Sequence, residues 1–246
     1  MNNRVNINKW IFFKPHKELI LVCATLIWVW IIYYLDQNVY GNNIIFQLIP
    51  SLFITTLGIC VCFPVFWIVK HKQEGFKGIG ITTNRLATSI LFSVILACWR
   101  GRELFNYIHN EGFINALLFN ALSIWEVMFI FGWMFTRYRK SFGKIPACIL
   151  TALSVGVYHC GSLLPENIIY LIVCIFVCGI FYSITDNIFT LWPIYWAVGC
   201  TASTMRSNMI FSNEMIILAV ILLIIQIICI IFITKSSIKK KNINNY

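Results

Sequence analysis

"NALSIWEVMFIFGWMFTRYRK" (residues 120–140) reads as a membrane-spanning helix: from Ala121 to Thr136 its only charged residue is Glu126, and it ends on the basic run Arg137, Tyr138, Arg139, Lys140. About 20 apolar residues rising 1.5 Å each cross a hydrocarbon core of roughly 30 Å. A carboxylate inside such a run costs on the order of 2.5–3.5 kcal/mol on insertion scales, so Glu126 is a functional candidate by default.

The rest of the chain repeats the pattern. Of 246 residues, 59% are hydrophobic, 16% aromatic and only 11% charged, which excludes an ordinary soluble globular domain. Apolar runs near 19–35, 44–69, 86–99, 113–136, 145–163, 167–183, 188–205 and 215–234 predict an all-α, polytopic membrane helix bundle of about eight transmembrane helices. With the N-terminus in the cytoplasm, 16 of the 19 basic residues fall on the cytoplasmic side, four each within 4–17, 70–85, 137–144 and 235–241. Only Arg100, Arg102 and Arg206 fall outside. The split predicts both termini cytoplasmic. The net charge of +10 is thereby explained by topology and by anionic headgroups of the lipid bilayer, and no nucleic-acid partner is implied. The first run follows a basic segment but meets no small-residue cleavage site before "DQNVYGNN" (36–43), so it reads as a retained span.

The chain reads as one membrane domain, 1–246, with a glycine-punctuated loop at 71–85 and a basic, polar tail at 235–246 expected to be disordered. Ten cysteines, mostly one per span, read as small buried hydrophobes and not as a disulfide framework. A zinc site built on Cys160 and His159 lacks further ligands, there is no HExxH, and neither a metal nor another cofactor is expected.

Two ionisable residues lie clearly within spans, Glu126 and His159. On a wheel of 100° per residue Glu126 shares an arc of about 80° with Asn115, Ser123 and Arg137. Around His159 stand Thr151, Tyr158 and Ser162, and on the seventh span Thr190, Ala197, Thr201 and Thr204 form another narrow face. Counted from the charged cytoplasmic ends, Glu126 lies roughly 16 Å deep and His159 and Thr201 roughly 22 Å, which helix tilt can reconcile around one cavity. A carboxylate and an imidazole there suit general-base work on water. The same two groups also suit a buried hydrogen-bonded pair that fixes helix packing, and the spacing does not decide between them.

These spans resemble the CPBP family of intramembrane proteases, also called Abi or CAAX-protease-like, over roughly residues 75–205. The family's first motif, EExxxR then Gly and a basic end, is similar to "EVMFIFGWMFTRYRK" (126–140), with Glu126 and Gly132 matching. Its second, FxxxH, is similar to "VGVYH" (155–159), with His159 matching. "GIFYSITDNIFTLWP" (179–193) resembles the stretch before the third motif, and "KGIGI" (77–81) the entry into the family's third span. The departures are Val127 for the second Glu, Phe131 for the Arg, Val155 for the Phe, and Ala197 and Thr201 where HxxxN or HxxxD falls; a slip of one residue would give Val198 and Ala202.

The resemblance implies a peptidase in which Glu126 and His159 activate water. The usual oxyanion donors are missing, a loss that typically costs about 100- to 1,000-fold per donor. Thr201, Ala197, Tyr158 and Thr204 are the residues expected to line the pocket or, where they carry a hydroxyl, to supply a donor, with Tyr182 a further hydroxyl. The implied partner is a membrane-associated peptide or protein substrate, in bacteriocin immunity or peptide maturation, in the cell membrane of a bacterium; richness in Ile, Asn and Lys suits an AT-rich genome. The alternative is a catalytically inactive relative that binds a hydrophobic peptide or partner helix. A transporter is disfavoured, since no inverted repeat is visible.

Overall fold

The computed structural model describes residues 10–40, 47–72, 74–206 and 211–243. Arg4, Lys9, the first residues of the second expected span (44–46) and the end of the tail (244–246) lie outside the described residues. The described residues are mostly helical, with no strand among them beyond one isolated bridge between Cys160 and Leu163.

Among the described residues, five helices are long and apolar enough to cross a membrane, as a membrane protein requires. They are α1 (Glu18–Val39), α2 (Ile49–Val69), α4 (Phe113–Phe142), α6 (Pro165–Thr185) and the segment Asn213–Ile233 of α8 (Asn213–Ile243). Two shorter apolar helices accompany them, Leu86–Trp99 within α3 (Leu86–Phe105), and α5 (Lys144–Tyr158). The fifth apolar run therefore ends five residues before its expected limit of 163. Gly161 takes φ +87°, a left-handed conformation that no helix continues through. The run 188–205 is not one straight helix. It begins with the short turns Ile188–Thr190 and Trp192–Ile194 and continues through wide π-type turns over Tyr195–Thr201 to an α-helical end at Ala202–Arg206, residues 195–206 being α7 here. Pro193 explains the delay, since its ring excludes a helical turn before it.

The chain forms two compact units, residues 1–60 with 129–184, and 61–128 with 185–246. In the first, α1 packs on α5 and on the end of α4. Lipid tails are as apolar as leucine, so helices associate in a membrane through close packing and polar contacts. Both devices are visible. Gly179 lies against Cys148, and Gly156 leaves room for Ile172, which a Cβ would meet at 2.6 Å. Trp133 Nε1 donates to Thr25 Oγ1 at 3.2 Å, the Tyr138 and Ser154 hydroxyls bond at 2.8 Å, and Arg137 Nη1 donates to Glu18 Oε2 at 2.7 Å. Arg137 is thus buried in an ion pair.

In the second unit, α8 packs on the start of α4 and on the end of α2. Phe113, Ala116 and Met205 form a core with Leu117 and Phe211, and Phe211 stacks on Phe119 at 3.9 Å. The loop ahead of α3 is tied to the turn before α7: Ile188 N–H donates to Gly80 O at 2.9 Å and Asn187 Nδ2 to Thr82 O at 2.9 Å. Glu103 and Arg206 form an ion pair at the far ends of α3 and α7.

Candidate functional site

Glu126 sits where α4 changes pitch. The chain runs through a tight 3-10 turn at Ala121–Ser123, one α-helical turn at Ile124–Val127, and wide π-type turns over Met128–Phe135. The 100° periodicity that places Asn115, Ser123, Glu126 and Arg137 on one arc therefore does not hold across this helix. Glu126 itself is half-buried in the second unit, and the Cys200 thiol donates to its Oε2 at 3.8 Å. Ser123, one turn earlier, is buried. A thiol is a weak donor, so this contact does not by itself consume the basicity of the carboxylate.

Cys200 belongs to "AVGCT" (197–201), and three contacts hold its neighbourhood to α4. Trp196 Nε1 donates to Leu117 O at 2.6 Å, Asn120 Nδ2 donates to Thr204 Oγ1 at 3.0 Å, and Cys200 meets Glu126. The fold thereby sets the acid beside the stretch that carries Ala197 and Thr201. Thr201 is buried, and its hydroxyl donates to Trp196 O at 2.7 Å within its own helix. That proton is committed to backbone. The Thr204 hydroxyl accepts from Asn120, and Ala197 brings a methyl group only, on a partly exposed position.

His159 belongs to the first unit and stands directly after α5, with its backbone N–H on Val155 O at 3.3 Å. Its ring is half-buried against two tyrosines, edge-on to Tyr33 at 5.0 Å and tilted to the buried Tyr158 at 4.5 Å. The turn that carries it is pinned by α1: Trp30 Nε1 donates to Cys160 O at 3.1 Å and Asn38 Nδ2 to Gly161 O at 3.0 Å. Gly161 is needed there, because a Cβ would come within 2.7 Å of the Tyr34 ring. Tyr182 lies elsewhere in the unit, packed on Phe131 and Phe135.

The Ser162 hydroxyl sits between the carbonyl and the ring of His159, with Oγ 3.0 Å from His159 O and 3.4 Å from Nδ1. With its one proton on the carbonyl, its lone pairs face Nδ1 and favour the Nδ1–H tautomer, which leaves the lone pair on Nε2. Ser162→Ala is expected to shift the neutral ring toward the Nε2–H form, and Ser162→Thr to restore it. Nitrogen-15 NMR of a variant with His159 as its single histidine reads this directly, and an Nε2–H ring in the wild-type background would refute the assignment.

Cys200, Trp30, Tyr33 and Asn38 escape a reading of the sequence. Cysteine is commonplace in these spans, and the residues of α1 sit in an apolar run with nothing to mark a turn more than 100 residues away as their partner. Among the described residues, no three His, Cys, Asp or Glu side chains stand close enough to share a metal ion. Compared with family models, curated proteins and solved structures, the chain matches none.

Proposed function

We propose that the chain is an eight-span protein of the CPBP type in a bacterial cell membrane, with both termini cytoplasmic, and that it acts as an intramembrane endopeptidase on a membrane-associated peptide or protein. Glu126 is the general base that takes a proton from water and returns it to the leaving amine; His159 is the second proton-handling group, with Nε2 as its basic atom. The observation that carries this reading is the Cys200–Glu126 contact, which joins the first-motif acid to the stretch lying where the third motif falls. Acid and carbonyl-binding segment must adjoin for hydrolysis.

A second reading, capture of a hydrophobic peptide without cleavage, is favoured by one observation. The Thr201 hydroxyl is spent on Trp196 O and is not aimed at an incoming carbonyl.

A comparative peptidome separates the two. Membranes and medium from cells lacking the gene are compared after complementation with wild type, Glu126→Gln or His159→Ala at matched expression. Fragments made by wild type and lost by at least about 100-fold in both variants are expected for a peptidase. Identical peptidomes, with any resistance phenotype surviving both substitutions, would leave the capture reading in its place.

A further inference from the structure

Residues 10–17 precede α1 and are not helical, yet they are held along the turn between α4 and α5 in the first unit. Phe12 N–H donates to Phe142 O at 2.9 Å, Lys14 N–H to Ser141 O at 2.8 Å, and Ile145 N–H to Trp10 O at 3.1 Å. Gly143 makes the approach possible. Its φ is +95°, and a Cβ there would stand 2.7 Å from Trp10 O. Because the segment lies against the start of α1, the end of α4 and the start of α5, it lies at one common end of three apolar helices.

What this hook presents is unusual for a fixed backbone. Phe12 is partly buried, while Trp10 and Ile11 are each 67% exposed and Phe13 82%. After them in the chain, Lys14 and Lys17 are exposed, and Lys144 sets its ammonium 5.8 Å over the Trp10 ring. An aromatic and aliphatic strip at a helix end, edged by three lysines, matches one surface in both respects. The boundary of a bilayer takes Trp and Phe at the acyl edge and offers phosphate to the ammonium groups.

We propose that residues 10–17 form a membrane-surface anchor that binds anionic phospholipid, with Trp10, Ile11 and Phe13 at the acyl boundary and Lys14, Lys17 and Lys144 on the headgroups. The proposal is independent of the peptidase reading, since it uses neither Glu126 nor His159. Backbone pairing to the α4–α5 turn holds the anchor in shape before lipid arrives, so little ordering entropy is lost on binding.

The test uses the full chain in nanodiscs of phosphatidylcholine mixed equally with phosphatidylglycerol, with bromine on the acyl chains of one lipid or the other. The Trp10 signal is the fluorescence difference between wild type and Trp10→Phe. Brominated phosphatidylglycerol is expected to quench it more than brominated phosphatidylcholine. Lys14→Ala, Lys17→Ala and Lys144→Ala are each expected to lower that preference about fivefold. The triple Lys→Arg variant, which keeps the charges and guards against misfolding, should retain it. Equal quenching by both lipids in wild type would overturn the selection of anionic lipid. Quenching by aqueous iodide alone would place the hook in water and overturn the anchor. Loss of the preference on adding inorganic phosphate would reveal a free-anion site in its place.

Discussion

Glu18→Ala is expected to destabilise the protein by about 3–5 kcal/mol, among the largest effects a single substitution has here. Arg137 is 1% exposed and Glu18 5%, and their contact at 2.7 Å is sheltered on one side by the Trp133 ring, 5.5 Å from the guanidinium carbon. Removing the carboxylate leaves the cation where neither water nor lipid can solvate it, and that penalty outweighs the Coulombic energy of the intact pair. The double variant Glu18→Leu with Arg137→Met should recover most of the loss, because it removes both desolvation costs together. Thermal unfolding midpoints in detergent micelles of Glu18→Leu, Arg137→Met and the double give the coupling. A Glu18→Ala midpoint within about 0.5 kcal/mol of wild type would mean the pair holds nothing together.

The pair also marks the boundary of what the sequence makes legible. Apolar runs announce an all-α membrane protein, because the bilayer demands length and composition, and both are local properties. Glu126 and His159 stand out for the same reason: a charge within an apolar run is visible without knowledge of any partner. Arg137 does not stand out. It lies in a basic cluster at a helix end, where the positive-inside pattern accounts for it fully, and Glu18 is a single acid behind Lys14 and Lys17. Only the folded chain shows that these two, 119 positions apart, close on one another.

The helical wheel misleads in the same region. It assumes uniform pitch, whereas α4 tightens at Ala121–Ser123 and widens at Met128–Phe135, so residues on either side of Glu126 do not keep the faces that 100° steps assign. The shortness of α5 and the broken start of α7 were legible in principle, from Gly161 and Pro193. Hydropathy alone passes over both.

Gln226→Leu is expected to raise stability by about 1–3 kcal/mol, the desolvation cost of a buried polar group with no partner. Gln226 lies near the middle of the most apolar helix, fully buried, and both its amide nitrogen and its amide oxygen lack a hydrogen-bond partner among the described residues. Leucine is similar in size and buries no dipole, so the packing around it should survive. Gln226→Glu should act in the opposite direction, because it leaves the packing volume unchanged and adds a charge with nothing to meet it. Unfolding midpoints of the two variants decide the matter. A fall for Gln226→Leu would show that the amide is satisfied by a trapped water, as buried polar groups often are.

The hook at residues 10–17 has a consequence for biosynthesis. His16 N–H reaches Ser141 Oγ across 125 positions of chain. At ribosomal rates of about 5–20 residues per second, α1 enters the membrane some 6 to 25 s before the turn that will hold its leading segment exists. Through that interval Glu18 is at a helix entrance before the Arg137 guanidinium exists, and the least costly place for it is the headgroup layer. The first helix is thus delivered unfinished, and the late arrival of Arg137 and Gly143 is the step that seats it for good.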